Sequence, residues 1–397
     1  MEMSRGPALW TDAFLDAMRH ERDGVAAAVV DAIYASGDLD AVNRVLVQLV
    51  RHGPALDAPL QQLIDTFFAS TSALPAWADP AKIARAEKLF SRHGLLATSI
   101  LCCASLPECY LDREGVPVLA ATQRLEAHTY RRIWETSHMV VSVMQPDGLS
   151  KGPGVEYCQR VRLMHAAIAH LLLAPSSEVG TPDQLGHVLA ARDWDAARLG
   201  TPLNQEDLAY VLLTFSYVGL RGLATLGVKT TPEEREAYVH AWNVIGALLG
   251  VREELLAGSY DEARVLFERI RARRRGASPD GQALTRSLVA WMEETMPEPL
   301  RHVPAQLICA LIGDKDAALL GVRRGFWGRM GQAVVVGALR LLSHVVDDVQ
   351  RHSPLRHASE ALFQALVRRI WNEDARWQGE LFAIPPALQE SWNLKPG

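Results

Sequence analysis

The chain has 397 residues, 49% of them hydrophobic, which exceeds an average domain yet suits one large helical domain with a sizeable core. Its 41 basic and 46 acidic side chains leave a formal charge of −5, which favours solubility and excludes a broad nucleic-acid surface. Five cysteines (Cys102, Cys103, Cys109, Cys158 and Cys309) form an odd, sparse set without a CxxC pair, which excludes a disulfide framework, a zinc ribbon and a thioredoxin-like site.

The first residues, MEMSRGPALWTDAFLDAMRHERDG, hold no apolar signal core and no twin-arginine pair, so a cytoplasmic protein is expected. Helix starts then recur along the chain. Asp79-Pro80, Thr181-Pro182, Thr231-Pro232, Ser278-Pro279 and Ser353-Pro354 each place a capping side chain before a proline that needs no N–H. Thr181 with Gln184 and Thr231 with Glu234 have capping-box spacing, and Asn204 with Asp207 reads as a cap and its N3 acid. Apolar residues follow at three- and four-residue intervals, as in SEALFQALVRRIW, and sustained alternation is absent. The prediction is an all-α chain of roughly a dozen or more helices. Breaks fall at 70–80, 145–154, 175–182 and 276–281, none long enough for a flexible linker, and no solenoid-length repeat is present. The apolar run Leu208 to Leu220 stops short of a membrane span and reads as a buried helix, so no transmembrane segment is expected. The run Arg271 to Arg275 reads as a solvated helix end or loop rather than a binding patch, and Asp347-Asp348 as a solvated helix face.

The chemistry-bearing motifs of hydrolases and nucleotide binders are missing. There is no GxSxG, HExxH or P-loop, and Gly152-Pro153-Gly154 lacks the strand and third glycine of a dinucleotide fingerprint. What stands out is RVRLMHAAIAHLL, Arg160 to Leu172, an apolar helical run with His165 at its centre. Two readings stay open from the residues alone: a satisfied core histidine, or a metal or haem ligand. Arg162 shares its helix face three residues earlier, and Arg132 and Thr136 share another face upstream, with Glu135 beside them. His240 is a further candidate, against a packing role beside Trp242. His93, His170 and His187 read as structural or surface residues.

The words SLPECY, RRIWET, QRVRLMHAAI, PLNQEDLAYVLLTFSYVGLRGL and AYVHAWNVIGALLGV, in this order between about Phe90 and Leu256, resemble the latex-clearing-protein family. That family is the rubber-oxygenase catalytic domain, shared with a fungal endoplasmic-reticulum oxygenase of mycophenolic acid biosynthesis. The resemblance implies a haem b (iron) cofactor in a globin-like helical core, with His165 as the proximal metal ligand and Arg132 and Thr136 on the distal side. A family member carries a lysine just before the threonine, able to cap the iron. Glu135 stands there in this chain, which implies an open or water-occupied sixth position, or a distal base. Arg162 and His240 complete the cofactor-binding candidates. Covalent cytochrome-c attachment is excluded, because no CxxCH occurs.

The expected organisation is a helical extension over 1–80, a haem-binding core over 81–260 and completing helices over 261–397. The expected activity is a haem-dependent oxygenase inserting dioxygen into, or cleaving, a C=C bond of an apolar terpenoid or prenylated small molecule. Catalysis would fall to Arg132, Glu135 and Thr136. A peroxidase- or peroxygenase-like enzyme, and a haem sensor or carrier without turnover, are the alternatives left open.

Overall fold

The computed structural model describes residues 8–35, 58–123, 129–151, 153–174, 193–323, 336–337 and 340, with backbone alone at 95, 122–123, 129–135 and 299. The described residues are helical, with no strand; one isolated antiparallel bridge joins Asp112 to Arg275. The helices in chain order are α1 (Asp12–Met18), α2 (Gly24–Ala35), α3 (Ala58–Ser70), α4 (Pro80–Arg92), α5 (Gly94–Ile100), α6 (Leu106–Leu111) and α7 (Val116–Gln123). Then come α8 (Thr129–Met144), α9 (Gly154–Leu173), α10 (Ala196–Leu199), α11 (Gln205–Phe215), α12 (Tyr217–Thr225) and α13 (Pro232–Leu248). The described part closes with α14 (Tyr260–Arg274), α15 (Pro279–Thr295), α16 (Val303–Ile312) and α17 (Asp314–Leu319).

The predicted caps close these helices. Asp79 accepts from the N–H groups of Ala81 and Lys82 ahead of Pro80, and Ser278 accepts from Gly281. Thr231 with Glu234 and Asn204 with Asp207 form reciprocal capping boxes, each satisfying two otherwise orphaned donors. The Thr181 and Ser353 starts, His187 and the Asp347-Asp348 pair lie outside the described residues.

Helices α4 and α13 pack most extensively on each other, and α9 is flanked by α2, α8 and α13. One large apolar cluster runs from Trp10 through Phe90, Trp242 and Phe267 to Leu320, and a second joins α2, α3 and α9. Each fully buried aliphatic side chain here contributes roughly 1.5–3 kcal/mol. All five cysteines are free and buried, and burial pushes the Cys102 and Cys158 thiols up to about 12, which leaves them inert at neutral pH. Helices α11 and α12 run on as Gln205–Thr225, long and apolar enough by composition to cross a membrane, but 67% of that window is buried within the chain, as in a core helix.

Two features depart from the sequence reading. Between α5 and α6 the segment Leu101–Ser105 is π-helical, with the Leu106 N–H bonded five residues back to the Leu101 carbonyl. The Arg271–Arg275 run does end a helix, but it is not solvated. Arg274 is 2% exposed and pairs with Asp112 at 2.8 Å, with Glu206 at 3.4 Å and closely with Asp207. Arg273 reaches Glu206 at 3.2 Å, Arg271 reaches Glu108 at 2.9 Å and also Asp316, and Arg275 joins Asp316. Arg221 closes on Glu108 at 2.6 Å. The acids come from α6, α11 and α17 and the loop after α6, so the cluster ties distant elements to the end of α14.

Candidate functional site

Helices α8 and α9 are joined by a short connection and pack on each other, so they form an antiparallel hairpin. Its turn is tight. The Gly154 N–H bonds to the Gly148 carbonyl at 3.1 Å, and a Cβ on Gly148 would fall 2.4 Å from the Ser142 carbonyl oxygen. Near the turn the two helices are clasped by His138 Nδ1 and the Tyr157 hydroxyl, 2.7 Å apart and buried. Burial pushes His138 down to about 4, so this imidazole is neutral and accepts from or donates to Tyr157 as its tautomer dictates.

The candidate residues lie beyond this clasp. At 1.5 Å rise per residue, His165 sits roughly 12 Å further along α9, and Thr136, Glu135 and Arg132 roughly 3, 4.5 and 9 Å further along α8. The hairpin therefore carries both candidate sets on neighbouring helices, past its closed end. Thr136 is half-buried; the side chains of Arg132 and Glu135 lie outside the described residues.

His165 lines a small cavity with Arg162, Ala166 and Ala169 of α9, Arg22, Asp23 and Ala27 at α2, and Leu203, Leu208 and Leu249. Arg162 is held there by a two-point pair with Asp23, its Nη2 donating at 2.7 Å, and its guanidinium lies 5.8 Å from the Phe67 ring centre. The structure thus brings Arg162 and His165 together, whereas Thr136 is not among the described residues that line this cavity. His240 stands elsewhere. Its Nε2 accepts from the Asp79 N–H at 2.8 Å, and its ring packs edge-on to Trp77, at the α4–α13 contact. His170, one turn past His165, bonds Asp31 at 2.8 Å and stacks on Tyr34. His93 is buried, which pushes it down to about 4.

Haem asks of a helical chain one imidazole, a cationic edge for its propionates and apolar walls. The His165 cavity holds these groups in its lining: one imidazole, Arg22 and Arg162, and leucine and alanine walls, with Arg162 paired to Asp23 and Arg22 to Asp31. Among the described residues no cluster of three or more His, Cys, Asp or Glu could hold a bare metal ion. Sequence reasoning did not single out the His138–Tyr157 clasp or the packing of the Trp242 ring on Phe215 and Tyr238. The spacing of Tyr238 and Trp242, one helical turn apart, was the available signal.

Residues 91–346 match the family described as ER-bound oxygenase mpaB/B'/rubber oxygenase, catalytic domain. The rubber oxygenase of Streptomyces sp. (strain K30) is 26% identical over 276 residues, which are 69% of this chain. Those residues span 63% of that relative's own length. The structure of latex clearing protein LCP in the closed state matches with a TM-score of 0.64 at 19% identity, covering 96% of this chain and 92% of that one, a likeness of fold.

Proposed function

Because the chain belongs to the family of the ER-bound oxygenase mpaB/B'/rubber oxygenase catalytic domain, we propose that it is a haem b-dependent oxygenase of an apolar alkene. The observation that carries this reading is the placing of His165 on a cavity beyond the clasp of the α8–α9 hairpin, whose other helix bears Arg132, Glu135 and Thr136. His165 would hold the iron, and Arg162, fixed by Asp23, and Arg22 would face the propionates. Haem, when bound, supplies the binding and activation of dioxygen.

The chain's own residues do the rest. Arg132 stays charged at all working pH and offers fixed donors to negative charge developing on the reacting oxygen. Thr136 adds a hydroxyl that both donates and accepts. Glu135 holds or passes a proton at its carboxylate. The substrate is a terpenoid or prenylated small molecule. Oxidative cleavage would place one atom of dioxygen on each former alkene carbon, so atoms and electrons balance without a reductant.

Labelled dioxygen supplied with a short terpenoid alkene should leave label in carbonyl products. Arg132→Ala should cut that yield by at least ~10²-fold, the scale for losing one donor to developing charge. Turnover equal to the parent in both Arg132→Ala and Thr136→Ala would remove these residues from the reaction. Retained haem with no product from any alkene would make the chain a haem carrier instead.

A further inference from the structure

Gln205, the first residue of α11, is 1% exposed, and its polar groups reach two other segments of the chain. Its backbone N–H donates to the Glu21 carbonyl at 3.0 Å. Its side-chain Nε2 donates to the Gly250 carbonyl at 3.0 Å, and its Oε1 accepts from the Arg252 N–H at 2.8 Å. One residue thus joins the segment between α1 and α2, the start of α11 and the loop that follows α13. All three meet at the His165 cavity. The first supplies Arg22 and Asp23 to its lining, the second Leu203 and Leu208, and the third Leu249. Gln205 stands behind them and is not among the described residues that line the cavity.

Two backbone features show how closely these segments are set. Gly250 has a φ of +84°, and a Cβ there would fall 2.7 Å from the Arg162 Nε and against the Asp23 carboxylate. The loop therefore passes directly beside the Asp23–Arg162 pair, and Gln205 holds the carbonyl of that same glycine. Leu203 has a φ of +54°, a left-handed conformation that is costly for any residue with a Cβ. Such conformations persist where the surroundings over-determine them, and they recur at functional sites. The amide suits its place. It gives and accepts at once, so it holds a carbonyl and an N–H two residues apart, and it brings no charge into the buried site.

We propose that Gln205 is a positioning residue of the His165 site: it fixes the segments bearing Arg22, Asp23 and Leu249 against one another, and so sets the walls that receive the bound group. The inference deepens the oxygenase reading and rests on it only in calling that group haem.

The test uses the full purified chain. Haem loss is followed by the Soret band on transfer to excess apomyoglobin, and hydrogen exchange is read on the haem-free chain. Gln205→Leu keeps the volume and removes both side-chain bonds. It should speed haem loss at least ~10-fold, the lower scale for removing a group that supports a ligand. Gln205→Glu puts a carboxylate oxygen against the Gly250 carbonyl. Relative to the parent at each pH, it should lose haem faster at pH 8 and return toward the parent rate at pH 6, as the buried acid takes up a proton and regains a donor. Ser278→Ala removes the cap of α15, a stability loss away from the cavity, and should keep the parent rate. Equal acceleration in Ser278→Ala overturns the inference, as does parent-like haem loss in both Gln205 variants. In the haem-free chain, Gln205→Leu should speed exchange roughly 10-fold over both 19–27 and 249–253, the scale of one buried hydrogen bond, and leave α14 unchanged. Faster exchange at Arg252 alone also overturns the inference, because the walls are then held without Gln205. The two readings fail separately. A parent without Soret absorbance removes the haem, and exchange still decides whether Gln205 sets the walls. Haem bound by the parent, with exchange unmoved in Gln205→Leu, removes the role of Gln205 and leaves the oxygenase.

Discussion

A buried imidazole stays neutral, and the fold stores that preference as pH-dependent stability. Burial holds His138 at about 4 against an ordinary 6.5. The unfolded chain therefore takes up a proton on acidification before the folded chain does. The contribution of His138 is complete above pH 6.5 and is lost as pH falls toward 4, on the order of 3 kcal/mol across that window. Thermal unfolding of His138→Gln should show a correspondingly shallower loss of stability between pH 6.5 and 4 than the parent; equal slopes would mean that His138 does not titrate there. His240 behaves differently. Its Nε2 is engaged by the Asp79 N–H. His240→Ala should leave that N–H unpaired, lower the melting temperature and retain the parent's Soret absorbance. His165 was legible as a candidate because a lone imidazole interrupts an apolar helix. The position of His240 was not, since its partner is a backbone N–H 161 residues away.

At the scale of elements, the hairpin of α8 and α9 sets where the candidate groups stand. Gly148 is required at its turn, because a Cβ there would meet the Ser142 carbonyl at 2.4 Å, and backbone does not yield as a flexible side chain does. Gly148→Ala should destabilise the protein by about 1–3 kcal/mol, the usual cost of overpacking, where an unhindered Gly→Ala change would stabilise it. Chemical denaturation reads this directly. Removing the clasp with Tyr157→Phe should cost about 1 kcal/mol, the net worth of one hydrogen bond. Helix starts were readable because a cap is local: Thr231 with Glu234 and Asn204 with Asp207 carry their geometry in three-residue spacing. The π-helical turn at Leu101–Ser105 was not. A shift of backbone register leaves no mark on apolar periodicity in so short a segment.

Across the whole molecule, the ionic cluster at the end of α14 joins helices that the sequence keeps far apart. Arg274 lies 162 residues from Asp112 and 67 from Asp207, so a run of arginines that reads as solvated is buried only because of tertiary partners. Removing a buried partner from such a cluster is costly, since the charges left behind are neither solvated nor paired. Arg274→Met should therefore destabilise by about 3–5 kcal/mol. Glu206→Gln should cost much less: burial pushes this carboxyl up to about 7, against the pull of Arg274 and Arg273, so its charge is already disfavoured near neutrality. Melting temperatures at pH 7 give the comparison, and equal losses in the two variants would contradict it.

The central claim is that His165 carries a haem. The most direct measurement is the optical spectrum of the purified full chain beside that of His165→Ala, with circular dichroism on both. The account predicts a Soret band in the parent that is mostly lost in the variant while helicity is kept. A folded His165→Ala protein with full haem and an unchanged spectrum would contradict it.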